Sequence, residues 1–247
     1  MVKNDLHIGC AGWNYLNVKR YFENSVKFKS KLEAYSKLFD FVELNATFYR
    51  LPRKSTVKRW RETVGEDFIF SVKAPGKITH ELRFEKNSIE VLKEFLDVIE
   101  PLKANVVLFQ SPASFKPSDE NIKKAVEFFK EAISICKERG IDKLAWEVRW
   151  KDTWTKEVVF SAFSKIKDIV QCVDPLRQDW FYGDRFAYFR LHGFGKRIYD
   201  YIFKDSELEF LKDFVLKQLE KGKEVYVVFN NYNMYEDALK FKRMMGV

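Results

Sequence analysis

The sequence is poor in the residues that divide a chain into pieces. It holds ten glycines and six prolines among 247 residues, about half the usual share. Little of it is therefore linker or low-complexity tract, and no Pro/Gly/Ser-rich stretch separates two halves. Cysteine is scarce as well. Cys10, Cys136 and Cys172 are far apart, odd in number and form no Cys-x-x-Cys, which excludes a disulfide framework and fits a reducing, cytoplasmic setting. Three histidines are too few for a multi-zinc site unless carboxylates supply most ligands, so no metal is expected. The longest run without Asp, Glu, Lys or Arg extends from Leu6 to Val18 and is broken by Gly9 and Gly12. A spanning helix takes about 18 or more apolar residues, so no membrane partner is expected. The first residues show no apolar leader segment. Neither a Walker-type nor a Rossmann-type glycine loop occurs, and no Gly-x-Ser-x-Gly elbow. No cofactor is indicated.

What is present is a globular composition. Apolar residues make up 46%, charged residues 32% and aromatics 17%, which excludes intrinsic disorder. The formal net charge is +8. Few glutamines beside abundant Lys and Glu suggest a thermophile.

Strand and helix signals alternate from end to end. Short runs rich in Val, Ile and Phe, bounded by turn residues, predict eight strands at Leu6–Cys10, Phe41–Asn45, Phe68–Ala74, Asn105–Gln110, Leu144–Arg149, Ile169–Val173, Ala187–His192 and Val225–Asn230. Helical stripes lie between them, opened by Ser30, Ser55, Ser118 and Ser206 and closed by Gly65, Gly140 and Gly222. The segment Pro175–Arg185 is too short and mixed for a full sixth helix. About 31 residues per unit is the spacing of a (β/α)8 barrel, so the fold class is α/β, a TIM-barrel-like single domain over residues 1–247; the doubly wound open sheet is the rival. The links after strands are long and those before them short, which puts functional loops at the C-terminal face of the barrel.

Period two divides each strand into faces. One face is apolar throughout; the other turns polar toward the strand's C-terminal end. In a barrel that second face points inward, so Lys73, Arg149, Arg190 and His192 meet Glu43 and Glu147 at the mouth, with Asp174 just beyond. Three cations facing two or three carboxylates could pair off and only fill the mouth. Alternatively they bind and act: fixed Lys and Arg suit phosphate or carboxylate, Glu43 or Glu147 would be a general base, and Lys73 or His192 a general acid. Trp13, Tyr15, Tyr49, Trp150, Trp154 and Tyr199 are placed in the mouth loops, as an aromatic rim or as ordinary packing. His7 reads as structural. Gly193-Phe194-Gly195-Lys196-Arg197 is either a phosphate-wrapping loop or a plain surface loop.

The strand ends carry a resemblance. Gly12-Trp13-Asn14-Tyr15, Val42 to Tyr49, Phe70 to Ala74 leading to Thr79-His80, Gln110-Ser111-Pro112, Glu147-Val148-Arg149 with Trp154, Arg190 to Gly193 and Phe229-Asn230-Asn231 resemble the YecE-like family, domain of unknown function seventy-two. The pieces run through the whole chain in order. The resemblance implies a TIM-barrel-like fold and pocket positions, which add Asn45, His80, Gln110, Asn230 and Asn231 to the ligand-binding set; it brings no reaction with it. One departure stands out. Where the family has His and Ser-Trp after strand 5, this chain has Trp150-Lys151-Asp152-Thr153-Trp154, so no role of that His carries over. The expectation is an enzyme, of acid–base hydrolase or lyase type, that takes a small anionic ligand at the mouth. The alternative is a nucleic-acid-binding or phosphodiester-processing protein, suggested by the positive charge and the aromatics.

Overall fold

In the computed structural model, residues 5–149, 152–195 and 198–247 are described. Eight parallel strands close into a barrel in chain order: β1 Leu6–Cys10, β2 Phe41–Leu44, β3 Ile69–Lys73, β4 Val106–Gln110, β5 Lys143–Glu147, β6 Ile169–Val173, β7 Phe186–Leu191 and β8 Glu224–Phe229. Closure is made by β1 pairing β8 over five residues, whereas β1 meets β2 at one registered pair, Cys10 with Val42. The helices are α1 Val18–Tyr21, α2 Lys31–Tyr35, α3 Ala46–Tyr49, α4 Lys54–Val64, α5 Ser88–Ile99, α6 Asp119–Glu138, α7 Lys156–Phe163, α8 Asp205–Leu219 and α9 Met234–Met245. No helix separates β6 from β7, as the mixed composition of that segment predicts. Among the described residues no helix is long and apolar enough to cross a membrane.

Helix ends follow local chemistry. Ser118 Oγ accepts the Asn121 N–H and opens α6, satisfying one of its unpaired first-turn donors. The expected Ser206 cap is corrected: α8 starts at Asp205, because Glu207 reaches back to accept the Lys204 N–H at 2.8 Å. The one-turn helix α3 was not expected; Asn45, read as the end of a strand, instead precedes its first turn.

The two strand faces build two apolar layers. Phe70, Val72, Phe109, Trp146, Phe189 and Val227 pack outward against the helices. Phe41, Val106, Leu108, Ala145, Cys172, Tyr188 and Tyr226 fill the barrel interior. Both layers are buried, so each strand is covered on both sides, as parallel sheets require. Polar groups are left for the two ends of the barrel.

Candidate functional site

Arg190 is the centre of the mouth. It lies on the inward face of β7, 1% exposed. Its Nε donates to Glu43 Oε1 at 3.1 Å and Oε2 at 2.9 Å, and its Nη2 to Oε1 at 2.9 Å. Its Nη1 donates to Glu147 Oε2 at 2.5 Å and faces Gln110 Oε1 and His192 Nε2, each at 3.3 Å. Tyr188 adds a donor to Glu43 Oε2 at 2.8 Å. Since that phenol proton is spent on a carboxylate, the Ser71 hydroxyl must donate to the Tyr188 oxygen, 2.6 Å away. Glu43 therefore receives four hydrogen bonds and is fully buried. The expected role of Glu43 as a general base meets a physical obstacle: no lone pair faces the mouth.

Glu147 is held from the other side as well. Arg149 donates to its Oε1 through Nε at 3.1 Å, and its Nη2 forms an ion pair with the same oxygen at 3.0 Å. Burial alone would raise its carboxyl, but Arg190 and Arg149, helped by His192 and Lys73, hold it well below the usual carboxylate range. A carboxylate so firmly ionised is a weak base; its effect is to fix Arg149.

His192 is similarly engaged. Its Nε2 faces Arg190 Nη1 at 3.3 Å, and its Nδ1 lies 3.8 Å from Asp174 Oδ2. The same carboxylate oxygen accepts the His192 backbone N–H at 2.9 Å. Both ring nitrogens thus face protein groups, which works against the expected general-acid role of His192.

Lys73 differs from these residues. It ends β3 and is 7% exposed. Among the described residues no hydrogen-bond acceptor faces its Nζ, which lies 4.1 Å from the centre of the Phe48 ring. Burial, then the Arg190 charge, pulls its amine down to about 8, against the opposing pull of Glu147 and Glu43. Thr47 Oγ1 donates to its carbonyl at 2.7 Å and so anchors the strand end. Phe48 also meets His80, ring centres 5.0 Å apart. Gly76 presses on the same ring; a Cβ there would sit 3.0 Å from Phe48 Cζ. His80 is half-buried, with Nδ1 2.8 Å from Thr79 Oγ1. Burial and the Lys73 charge lower its pKa, so its ring is neutral at neutral pH.

A cleft of about 440 Å³ opens beside β5, β6 and β7, lined by Glu147, Arg149, Asp152, Asp174, Arg177 and His192 among others. Arg177 and Asp152 were not legible as site residues, because they belong to irregular loops with no periodicity to read. Gln110, Arg149, Asp174 and Arg190 stand where the strand pattern put them.

Several expected positions are corrected. Trp13 is buried against Trp60 and Phe70, ring centres 5.3 and 6.5 Å away; its ring belongs to the core between barrel and helices. Trp154 is likewise buried, on Trp146. Asn231 is buried, its amide donating to Asp237 Oδ2 and the Tyr201 carbonyl, each at 2.7 Å, so it ties a loop to α9. Asn230 is half-buried and its backbone N–H bonds to the Leu191 carbonyl. Tyr15 and Tyr49 are exposed, at 85% and 83%, on the loops of the C-terminal face. Tyr199 and the unforeseen Tyr232 lie on the same face, ring centres 6.3 Å apart. Trp150, Lys151, Lys196 and Arg197 lie outside the described residues. Among the described residues no group of three His, Cys, Asp or Glu side chains is placed to share a metal ion.

A family model described as "Protein of unknown function DUF72" matches residues 7–247. UPF0759 protein YunF of Bacillus subtilis is 25% identical over 97% of this chain and 93% of its own length. UPF0759 protein YecE of Escherichia coli is 33% identical over 116 residues, which span 46% of this chain and 40% of YecE. The crystal structure of a DUF72 family protein from Thermotoga maritima superposes with a TM-score of 0.75 at 28% identity, covering 98% of this chain and 99% of that one. D-psicose 3-epimerase from Clostridium cellulolyticum superposes at 0.61 with 12% identity, covering 97% of this chain and 98% of that one, a likeness of fold alone.

Proposed function

The chain belongs to the DUF72 family, and from that premise we propose that it is an enzyme binding a small phosphate- or carboxylate-bearing ligand at the C-terminal mouth of its barrel. The observation that carries this reading is Lys73: a largely buried cation end at the mouth that no acceptor faces among the described residues. An amine that only maintained the fold would have a carboxylate within reach, as Lys143 has in Glu224 at 3.2 Å. Arg149, pinned by Glu147 and lining the cleft, supplies a second fixed donor group. Lys73 is also the group whose pKa suits proton transfer near neutral pH, so the acid–base role falls to it.

The test is thermal shift with inorganic phosphate, sugar phosphates and carboxylates on the wild type, Lys73→Ala and Arg149→Ala. A ligand at a hundredfold excess over its Kd adds about 2.7 kcal/mol, roughly 5–10 °C for a chain of this size. The shift is expected in the wild type and reduced in both variants. If no anion shifts the wild type more than the variants, the reading falls.

A second reading, nucleic-acid binding or phosphodiester processing, draws on the exposed Tyr15, Tyr49, Tyr199 and Tyr232 around the mouth and the net charge of +8. Bases stack on such rings. It requires affinity for a single-stranded oligonucleotide that falls steeply with salt; absence of binding at low salt removes it.

A further inference from the structure

Among the described residues, the inward-facing charges of β2, β5 and β7 are already paired. Glu43 is committed to Arg190 and Tyr188, and Glu147 to Arg190 and Arg149. Lys73 is surrounded by those four charged groups, with neutral His80 across the Phe48 ring, yet none of them accepts from its Nζ. The amine rests on an aromatic face with no carboxylate accepting from it, burial and the Arg190 charge shift it toward its uncharged form, and its residue keeps a small exposure. An uncharged amine presents a lone pair. It is a good nucleophile. Arg149 supplies a further fixed charge nearby for the ligand anion.

We propose that Lys73 is a nucleophilic amine that forms an imine with the carbonyl group of a small oxo compound whose carboxylate or phosphate is held at the mouth. The inference rests on the anion-binding reading above and names its substrate class. In the step, the Lys73 ammonium first gives one proton to water at the mouth. Its lone pair then forms a C–N bond to the carbonyl carbon, and the C=O π pair moves onto oxygen. The oxygen takes one proton from the attacking nitrogen and a second from water. It leaves as water as the nitrogen pair closes the C=N bond. The net change joins the ammonium and the carbonyl into a protonated imine and one water, with no oxidant or reductant.

The test is reductive trapping. The full chain is incubated with sodium cyanoborohydride and either pyruvate or dihydroxyacetone phosphate, then mapped by peptide mass spectrometry. A reduced adduct is expected at Lys73, enriched about tenfold or more over exposed lysines because a larger fraction of its amine is uncharged. Which probe is trapped distinguishes a carboxylate from a phosphate ligand. Lys73→Arg should lose the adduct while keeping its fold, checked by its melting profile. Labelling spread evenly over surface lysines, or none at Lys73 with either probe, overturns the inference. If a probe stabilises the wild type thermally but leaves no adduct, only the imine fails and the anion-binding reading stands. If it neither stabilises nor labels, both fail.

Discussion

Arg190 shows how much of the site one residue can organise. Its guanidinium holds two carboxylates from separate strands of the barrel, β2 and β5, and all three side chains are buried. Substituting it by Met leaves Glu43 and Glu147 buried with their main partner gone. Breaking such a network from one side costs about 3–5 kcal/mol, so Arg190→Met should lose that much in urea denaturation; a loss under about 1 kcal/mol would show that the triad is not what holds the mouth. Lys73 calls for the opposite treatment. Its ordinary value of 10.5 falls to about 8 in the fold, so the folded state binds fewer protons than the unfolded one between those limits. Stability from this residue is reduced below pH 8 and recovers as pH rises from 8 toward 10.5. The melting temperature of wild type minus that of Lys73→Met should therefore rise between pH 7.5 and about 9.5. A flat difference would mean that Lys73 is a normal surface-like amine. That Glu43 and Arg190 both face inward was legible, because period two fixes which face of the strand a side chain takes. What each charge was paired with was not legible, since cross-barrel distances depend on closure and not on spacing.

At the scale of elements, the eight strands were read from short apolar runs and came out within a residue or two of their limits. Several features escaped, among them the single turns of α1 and α3, the helical turn at Lys77–Glu81, and the starts of α4, which Arg53 and not Ser55 precedes, and of α8. A four-residue helix has too little periodicity to detect, and the Glu207 side chain chose Lys204 over Ser206 by a local hydrogen bond. The structure also marks a place where an element has no slack. A Cβ at Gly9 would lie 2.2 Å from the Phe41 carbonyl oxygen, in the thinly paired join of β1 and β2. Gly9→Ala must push the two strands apart where barrel closure depends on them. A melting temperature within about 2 °C of wild type, less than roughly 1 kcal/mol, would show that the join is pliable. For comparison, Ser118→Ala removes only the cap of α6 and should cost about 1 kcal/mol by denaturant melting.

At the scale of the whole molecule, the barrel has a polar group at each end and an apolar filling between. The mouth has been described. At the other end, Glu224 of β8 accepts from His7 Nε2 at 3.0 Å and Tyr226 Oη at 2.5 Å and forms an ion pair with Lys143 Nζ at 3.2 Å, which gives His7 the structural part its sequence position suggested. Residues at that end of such barrels serve stability, and those at the mouth serve function. The net charge of +8 says little about either end: surface lysines such as Lys54, Lys103 and Lys137 pair with Glu100, Glu66 and Asp168, and the charges that matter are a small buried set. The division of labour is testable. Burial would raise the Glu224 carboxyl, but its hydrogen bonds from His7 and Tyr226 and the Lys143 charge bring it down to about 2. A carboxyl depressed in the fold stabilises fully above its ordinary value of 4.5 and loses that contribution as pH falls toward 2. Glu224→Gln should therefore be less stable than wild type at neutral pH, and the gap should close between about pH 4.5 and 2. The rise in stability from pH 7.5 to about 9.5 that depends on Lys73 should be the same in both proteins. If the Gln substitution also abolishes that rise, the two ends are coupled through the filling, and the barrel cannot be divided into a stabilising floor and a reacting mouth.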